Sequence, residues 1–533
     1  MRQKLYWNGT ILTMETPSCA QALLEQDGKI VAVGALDEVR QAAGTHFECV
    51  DLQGHTLMPS FIDAHSHFMG YAMSLLQVSV EGAHTFSDIQ KRIAAFIENR
   101  HLPDNQWVIV KGYDHNALDE QTHPTREILD EASSGHPIVL QHRSGHNGVF
   151  NTAALNFLGI TRSSMAPAGG KIEKDEAGEP TGYMEENAFL SYLKQIPMPQ
   201  SEEILNALKQ AQKRYASYGI TTVQDGYLMK EMVGLYQMLC TSHALELDVV
   251  AYAGVEDYGT IATQMAKHVD QYSDHLKIGG YKIFLDGSPQ SRTAWMRTAY
   301  VGQEENFGYP SMMDKDVLNA VRRAMREGRQ ILAHCNGDAA AQQYLQAVAR
   351  AMGELDDAPD IRPVMIHAQL VGTDQLPLMR ELGVLPSFFI AHVYHWGEVH
   401  VQNFGDLRAS KISPAQTAMR LGLPFTFHQD APVIEPDMME TVWCAVNRKT
   451  KTGRILGEEE RIDTLAALKA ITIHGAYQYF EENRKGSLKP GKLADMVILS
   501  QNPLDVPAEA LKNIEVLETI KEGRTIYQKR AAE

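Results

Sequence analysis

Cysteine, long apolar runs and excess positive charge are all scarce in this sequence. Its 533 residues hold five cysteines, Cys19, Cys49, Cys240, Cys335 and Cys444, scattered and odd in number. None forms a C-x-x-C pair, which argues against a disulfide framework or a zinc ribbon. Reduced thiols in a cytoplasmic protein are expected instead. No apolar run approaches the ~18 residues of a membrane span, so no membrane partner is expected. The opening "MRQKLYWNGTILTM" lacks a continuous apolar core and a small-residue cleavage site, so no signal peptide is expected. Lys and Arg number 49 against 66 Asp and Glu, a formal net charge of −17. That balance argues against nucleic acid as a partner and leaves a small molecule as the expected substrate. No G-x-G-x-x-G opens a helix after the first strand, which disfavours a doubly wound dinucleotide fold.

What is present is a regular alternation. "EEILNALKQAQKRYASYG" has apolar residues at helical spacing and stops at Gly219, and "ITTVQDG" follows as a strand. "GGYKIFLDGS", "RQILAHCNGD", "RPVMIHAQL", "GVLPSFF" and "LPFTFHQDAPV" continue the strand series, with "DVLNAVRRAMREG" as a helix between two of them. Alternating β and α units predict a parallel sheet, with enough units to close a (β/α)8 barrel. Both chain ends read instead as short strands and turns. Asn8-Gly9 in "KLYWNGTILTM" and Glu522-Gly523 in "VLETIKEGRTIYQ" are hairpin signals. Short edge strands need partners, so residues 1–56 and 484–533 are expected to form one composite β domain around a barrel of 57–483. A stretch at about 70–200 breaks the rhythm and reads as a large insertion near the barrel mouth.

Metal-capable residues fall near the predicted strand ends. His65 and His67 stand one residue apart in "SFIDAHSHFMG", and side chains two apart on a strand point the same way. Two neutral imidazoles so placed can hold one divalent ion. Lys282, His334, His367 and Asp430 follow on later strands, expected at the same C-terminal rim. A buried Lys282 loses its proton easily, and the neutral amine can take up carbon dioxide to give an anionic carbamate ligand. Pairing with Asp286 is the alternative for Lys282, and Asp286 is also a minor candidate ligand. Asp430 is the expected general base. Asp114, His115, Arg143, His146, Ser288, Arg292 and His392 are candidate substrate-binding residues. His428 is expected to pack below Asp430, and Cys335 to point away as core.

Taken together, "GHTLMPSFIDAHSH", "KIFLDGS", "AHCNGD", "IHAQL", "HQDAPV" and "GSLKPGKLADMVIL" resemble the amidohydrolase superfamily. "GYDHN", "PTREILD", "SGHNGVFNTAAL" and "GEPTGYMEENA" are similar to the subgroup that includes N-substituted formamide deformylases. The resemblance implies a distorted (β/α)8 barrel with a β-sandwich, one or two divalent metals (usually zinc), and a homodimer. By position it implies that His65, His67 and Asp430 hold the more buried metal. His334 and His367 would hold the second, with carboxylated Lys282 bridging. The activity implied is hydrolysis of an amide-like C–N bond in an N-acyl or N-formyl amine or a cyclic amide. Gln429-Asp430 stands where the subgroup usually has Ser-Asp, and "DGSPQSRTA" carries an unusual Pro-Gln. A hydrolytic deaminase of a heterocycle is one alternative. It usually needs a Glu a few residues after the strand-five histidine, where this chain has Asp338. A non-catalytic scaffold is the other.

Overall fold

A computed structural model describes residues 3–530. The chain divides into two compact units, 1–70 with 211–533, and 71–210.

The larger unit is built on eight parallel strands that neighbour one another in chain order. They are β1 (Phe61–Ile62), β2 (Ile220–Leu228), β3 (Asp248–Gly254), β4 (Leu276–Phe284), β5 (Gln330–Cys335), β6 (Val364–His367), β7 (Leu385–Phe388) and β8 (Thr426–Phe427). The β1 and β8 ladders are two residues long, so the barrel closes beyond them. There His67 N donates to Ala431 O at 2.8 Å and Asp430 N to His65 O at 3.2 Å. This is a curled α/β barrel, and helices such as Asp314–Arg326 and Asp338–Met352 form its crossovers. The first of these presents Val317, Leu318, Val321 and Met325 to the interior, at the helical spacing the sequence shows.

Two further sheets belong to this unit. One has four strands in the order 29–34, 22–26, 3–7 and 48–51. The other has six, in the order 524–528, 516–521, 496–499, 56–59, 10–12 and 19–20. Chain ends meet in the second sheet, where Thr56–Pro59 pairs antiparallel with Met496–Leu499. Tyr6, Leu23 and Ile30 from the first sheet and Ile11, Leu57, Met496 and Ile520 from the second share one buried cluster. Glu522-Gly523 makes the expected hairpin between Val516–Lys521 and Arg524–Gln528. The Asn8-Gly9 turn does not: Gln3–Trp7 and Thr10–Leu12 join different sheets. Close approach explains why glycine stands there, since a Cβ on Gly9 would lie 2.3 Å from His55 O and 2.6 Å from Leu52 Cβ.

Residues 71–210 form their own α/β unit. Its six-stranded sheet runs in the order 170–174, 180–185, 147–150, 138–142, 108–113 and 78–79. The helix Phe86–Arg100 begins at a reciprocal capping box between Thr85 and Asp88. Val108, Val110, Ile138 and Leu140 sit in one buried cluster with Ile89 and Ile93 of that helix. Among the described residues no helix is long and apolar enough to cross a membrane.

Candidate metal centre

The carboxyl ends of the barrel strands carry a cluster of imidazoles around one carboxylate. His65 and His67 follow β1, Lys282 and His334 lie within β4 and β5, His367 ends β6, and Asp430 follows β8. The pair at 65 and 67 therefore lies past the β1 ladder, and strand parity does not orient it. The closing backbone bonds do, by tying the 65–67 segment to 430–431. Both rings reach the same atom: His65 Nε2 and His67 Nε2 each lie 3.4 Å from Asp430 Oδ1. A tetrahedral ion with bonds of about 2.0–2.1 Å holds its donor atoms roughly 3.3–3.4 Å apart. Asp430 Oδ1 is buried and has no hydrogen-bond partner. A buried, unsatisfied carboxylate oxygen flanked by two imidazole nitrogens fits a cation.

The tautomer of His65 follows from its surroundings. Gln224 Nε2 donates to Ala64 O at 2.8 Å and to Tyr479 OH at 3.0 Å, so its Oε1 faces His65 Nδ1 at 2.6 Å. Nδ1 therefore carries the proton, and Nε2 turns a lone pair towards Asp430 and Lys282. Burial and then the Lys282 charge hold His65 well below the usual imidazole range. His367 is held down in the same way by burial and His334, so both rings are neutral.

Lys282 is 1% exposed. Burial pushes its amine down to about 7, with Asp430 acting in the opposite direction. Its Nζ lies 3.5 Å from His65 Nε2. Asp286, the alternative partner, is otherwise engaged. Its carboxylate accepts the backbone N–H groups of Trp295 at 3.0 Å, Asn336 at 2.9 Å and Gly337 at 2.7 Å. Asp286 Oδ1 also lies 3.5 Å from His334 Nδ1, a buried atom that has no hydrogen-bond partner.

His334 and His367 stand with ring centroids 4.7 Å apart, and His367 Nε2 is 4.0 Å from Asp430 Oδ2. His428 is buried and supports His367, 3.1 Å from its Nδ1, and is itself held by Ser387 Oγ at 2.8 Å. His367, Ala368 and Asp430 adopt φ of 71°, 43° and 54°. Left-handed conformations at non-glycine residues cost about 1–3 kcal/mol each and gather where function demands them. Asp63 also belongs to this region, fully buried, with His65 N donating to its Oδ1 at 3.4 Å. Burial pushes its carboxyl up to about 8. Neither Gln224 nor Asp63 stood out in the sequence: a glutamine has no metal-ligand signature, and Asp63 is masked by the neighbouring H-x-H.

The remaining candidates fall into three places. Ser288 and Arg292 lie in the loop after β4, where Ser288 Oγ meets Ser291 Oγ at 2.7 Å and Arg292 Nε donates to Asn403 Oδ1 at 2.8 Å. The unusual Pro289 lends its carbonyl to the same asparagine at 2.9 Å. His392 begins the helix after β7, 3.0 Å from His400, and packs on Phe389 and Trp396 with both centroids at 4.5 Å. Phe389 in turn adjoins His428 at 5.3 Å. Asp114, His115 and Arg143 cluster in the 71–210 unit, whereas His146 is exposed and pairs with Glu186. Gln429 points away from Asp430 and binds Asp437 O and Thr441 Oγ1. Cys335 is buried, with Sγ towards Gly337 O. Asp338 is committed to Arg297, whose backbone N and Nε it accepts at 2.7 and 2.9 Å.

A curled barrel with histidines, a buried lysine and an aspartate at its strand ends defines a metal-dependent hydrolase scaffold. The chain belongs to the amidohydrolase family, whose sequence profile matches residues 48–527. It is 27% identical over 543 residues to an N-substituted formamide deformylase of Arthrobacter pascens, covering 99% of both chains. It is 26% identical over 552 residues to the putative amidohydrolase YtcJ of Bacillus subtilis, covering 99% of this chain and 100% of that one. In fold it resembles an uncharacterized metal-dependent hydrolase of Pyrococcus horikoshii, with a TM-score of 0.78 at 24% identity. That match covers 98% of this chain and 100% of the other.

Proposed function

We propose that this protein is a metal-dependent hydrolase of amide-like C–N bonds other than peptide bonds, acting on small molecules. The observation that carries the reading is the unsatisfied Asp430 Oδ1 held 3.4 Å from both His65 Nε2 and His67 Nε2. His65, His67 and Asp430 would hold one divalent ion. His334 and His367, with Lys282 as a carbamate, would hold a second. Zinc suits this imidazole and carboxylate donor set. A bound ion supplies an acidified water and polarises the substrate carbonyl.

The chain does the rest. Asp430 accepts the proton of the attacking water and returns it to the departing amine. Gln224 keeps the lone pair of His65 turned inward, and His428 does the same work for His367. Lys282, held at about 7, exists partly as the free amine at neutral pH, the form that reacts with carbon dioxide. The formamide deformylase relative supports an N-formyl or N-acyl amine as substrate class. Substrate recognition is assigned to Ser288, Arg292 and His392, with Phe389 and Trp396 as an apolar wall beside His392. The five free thiols fit a cytoplasmic setting, and a homodimer is proposed from the family resemblance.

Elemental analysis and an amide-hydrolysis screen test the proposal together. Purified protein is expected to carry one to two zinc per chain and to hydrolyse N-formyl amines. Asp430→Asn is expected to lower kcat at least ~100-fold, the scale of a lost general base. A protein that folds, binds no divalent ion and hydrolyses nothing in the screen would refute the reading.

A further inference from the structure

Outside this centre, the described residues hold two other groupings of metal-capable side chains. In one, Asp248 stands with His275 and Glu522, but Lys485 and Lys521 already occupy Asp248 Oδ2 at 2.6 and 2.8 Å. The other lies in the 71–210 unit and comprises Asp114, His115 and His142, whose donor atoms all lie within 4.8 Å of one another.

Two neighbouring parallel strands build it. Val108–Tyr113 and Ile138–His142 run side by side with Tyr113 opposite His142, so Asp114 and His115 emerge beside the ring of His142. The register is pinned just beyond, where Arg143 N donates to Tyr113 O at 2.9 Å. His115 Nδ1 lies 3.3 Å from His142 Nε2, the donor separation of a tetrahedral ion. Asp114 Oδ1 lies 3.8 Å from the same Nε2. Its other oxygen is held by Arg143 at 2.9 Å, and Asn116 N donates to Oδ1 at 3.0 Å, which together aim Oδ1 at the rings. Ser144 N donates to His142 Nδ1 at 3.1 Å, so Nε2 carries the proton in the metal-free protein; a cation at Nε2 would shift that proton to Nδ1, where Ser144 Oγ, 2.9 Å away, accepts it. His123 walls the cluster, 4.0 Å from the His115 ring and held by Tyr113 OH at 3.0 Å and Tyr183 OH at 3.2 Å. Its pairing with two tyrosines leaves it as support rather than ligand.

We propose that Asp114, His115 and His142 form an additional mononuclear site for a borderline divalent cation of the zinc class. Two imidazoles and one carboxylate select such an ion over calcium or magnesium, which prefer all-oxygen shells. The ion clamps the carboxyl ends of two adjacent strands and leaves a fourth position for water. This assignment gives Asp114 and His115 a role other than substrate recognition.

Cobalt(II) titration of the full-length, chelator-stripped protein tests it. In a His65→Ala/His67→Ala/His334→Ala/His367→Ala/Asp430→Asn background, which removes both ion positions of the barrel centre, about one cobalt per chain is expected to remain, with the strong visible absorption of a tetrahedral ion. Adding His115→Gln or His142→Gln is expected to weaken that binding at least ~100-fold and abolish the band. A folded background protein that binds no cobalt, or cobalt binding that survives both glutamine variants, overturns the proposal. Should the background fail to fold, the wild-type chain carrying only His115→Gln and His142→Gln decides the matter. Its total zinc is expected to fall by about one equivalent per chain, and an unchanged total overturns the site.

Discussion

Gln224 offers the sharpest way to test how the proposed first metal site is organised, because its removal isolates one hydrogen bond. Its Nε2 donates to Ala64 O and Tyr479 OH, and its Oε1 accepts from His65 Nδ1. Gln224→Leu keeps the volume and removes all three. Ala64 O stays satisfied by Gln478 Nε2 at 2.8 Å, and Tyr479 OH still donates to Asp63 O at 2.9 Å. Only the His65 Nδ1–H is orphaned, in a residue 1% exposed. An unmet buried donor costs about 1–3 kcal/mol. The ring can relieve that cost by moving its proton to Nε2, the atom that faces Asp430, where it then blocks a cation. Losing an outer-shell partner of this type lowers metal affinity about 10–100-fold. Competition against a chromophoric chelator measures this directly, with thermal melting as a control for folding. A folded Gln224→Leu protein whose zinc affinity lies within twofold of wild type would refute the tautomer argument. A large fall in melting temperature with unchanged affinity would do the same, because it would make Gln224 structural alone.

Other perturbations have equally defined outcomes. Lys282 is held at about 7 against an ordinary 10.5, so unfolding takes up a proton between those values. Metal-free protein should therefore gain stability as pH rises from about 7 towards 10.5, by a few kcal/mol, and Lys282→Met should flatten the rise in urea midpoints measured across that window. Asp286→Ala strips the acceptor from the backbone N–H groups of Trp295, Asn336 and Gly337 and removes the carboxylate that stands 3.5 Å from His334 Nδ1. It should cost several kcal/mol in urea unfolding, at about 1–3 kcal/mol per orphaned donor, and lower the metal count. Asp248 is fully buried, and against the cost of burial Lys485 and Lys521 hold its carboxyl well below the usual range. Asp248→Ala leaves those two buried ammoniums without their shared partner and should cost about 3–5 kcal/mol at neutral pH. That contribution is present above the ordinary aspartate value and lost as pH falls through the depressed one, so wild type and variant should converge in acid.

The alternation of strands and helices was legible because it is a property of local periodicity. β2 to β7 are each long enough to write an apolar run between turn signals. The Asn8-Gly9 turn misled for the opposite reason. Its local chemistry is that of a hairpin, but which sheet a strand joins is decided by distant partners, here Ala22–Gln26 for one arm and Thr56–Pro59 for the other. At the site, residue types with metal chemistry could be read directly, whereas their supports could not. Gln224 and Ser387 are neutral side chains whose importance lies in what they face. The left-handed backbones of His367 and Asp430 leave no mark in a sequence that has no glycine at those positions.

His65 and His67 face one carboxylate, but not for the reason that the sequence spacing suggests. Two-residue spacing on a strand would aim both rings at one point, yet β1 stops at Ile62. What aims them is the seam that closes the barrel: His65 O accepts from Asp430 N and His67 N donates to Ala431 O, so each ring is set against the same carboxylate by a backbone bond to its own segment. The seam thus joins first and last strands and places candidate ligands from both in one operation. It follows that barrel closure and the proposed first cation position are one structural event, since neither segment can shift without moving the Asp430 oxygen away from both Nε2 atoms.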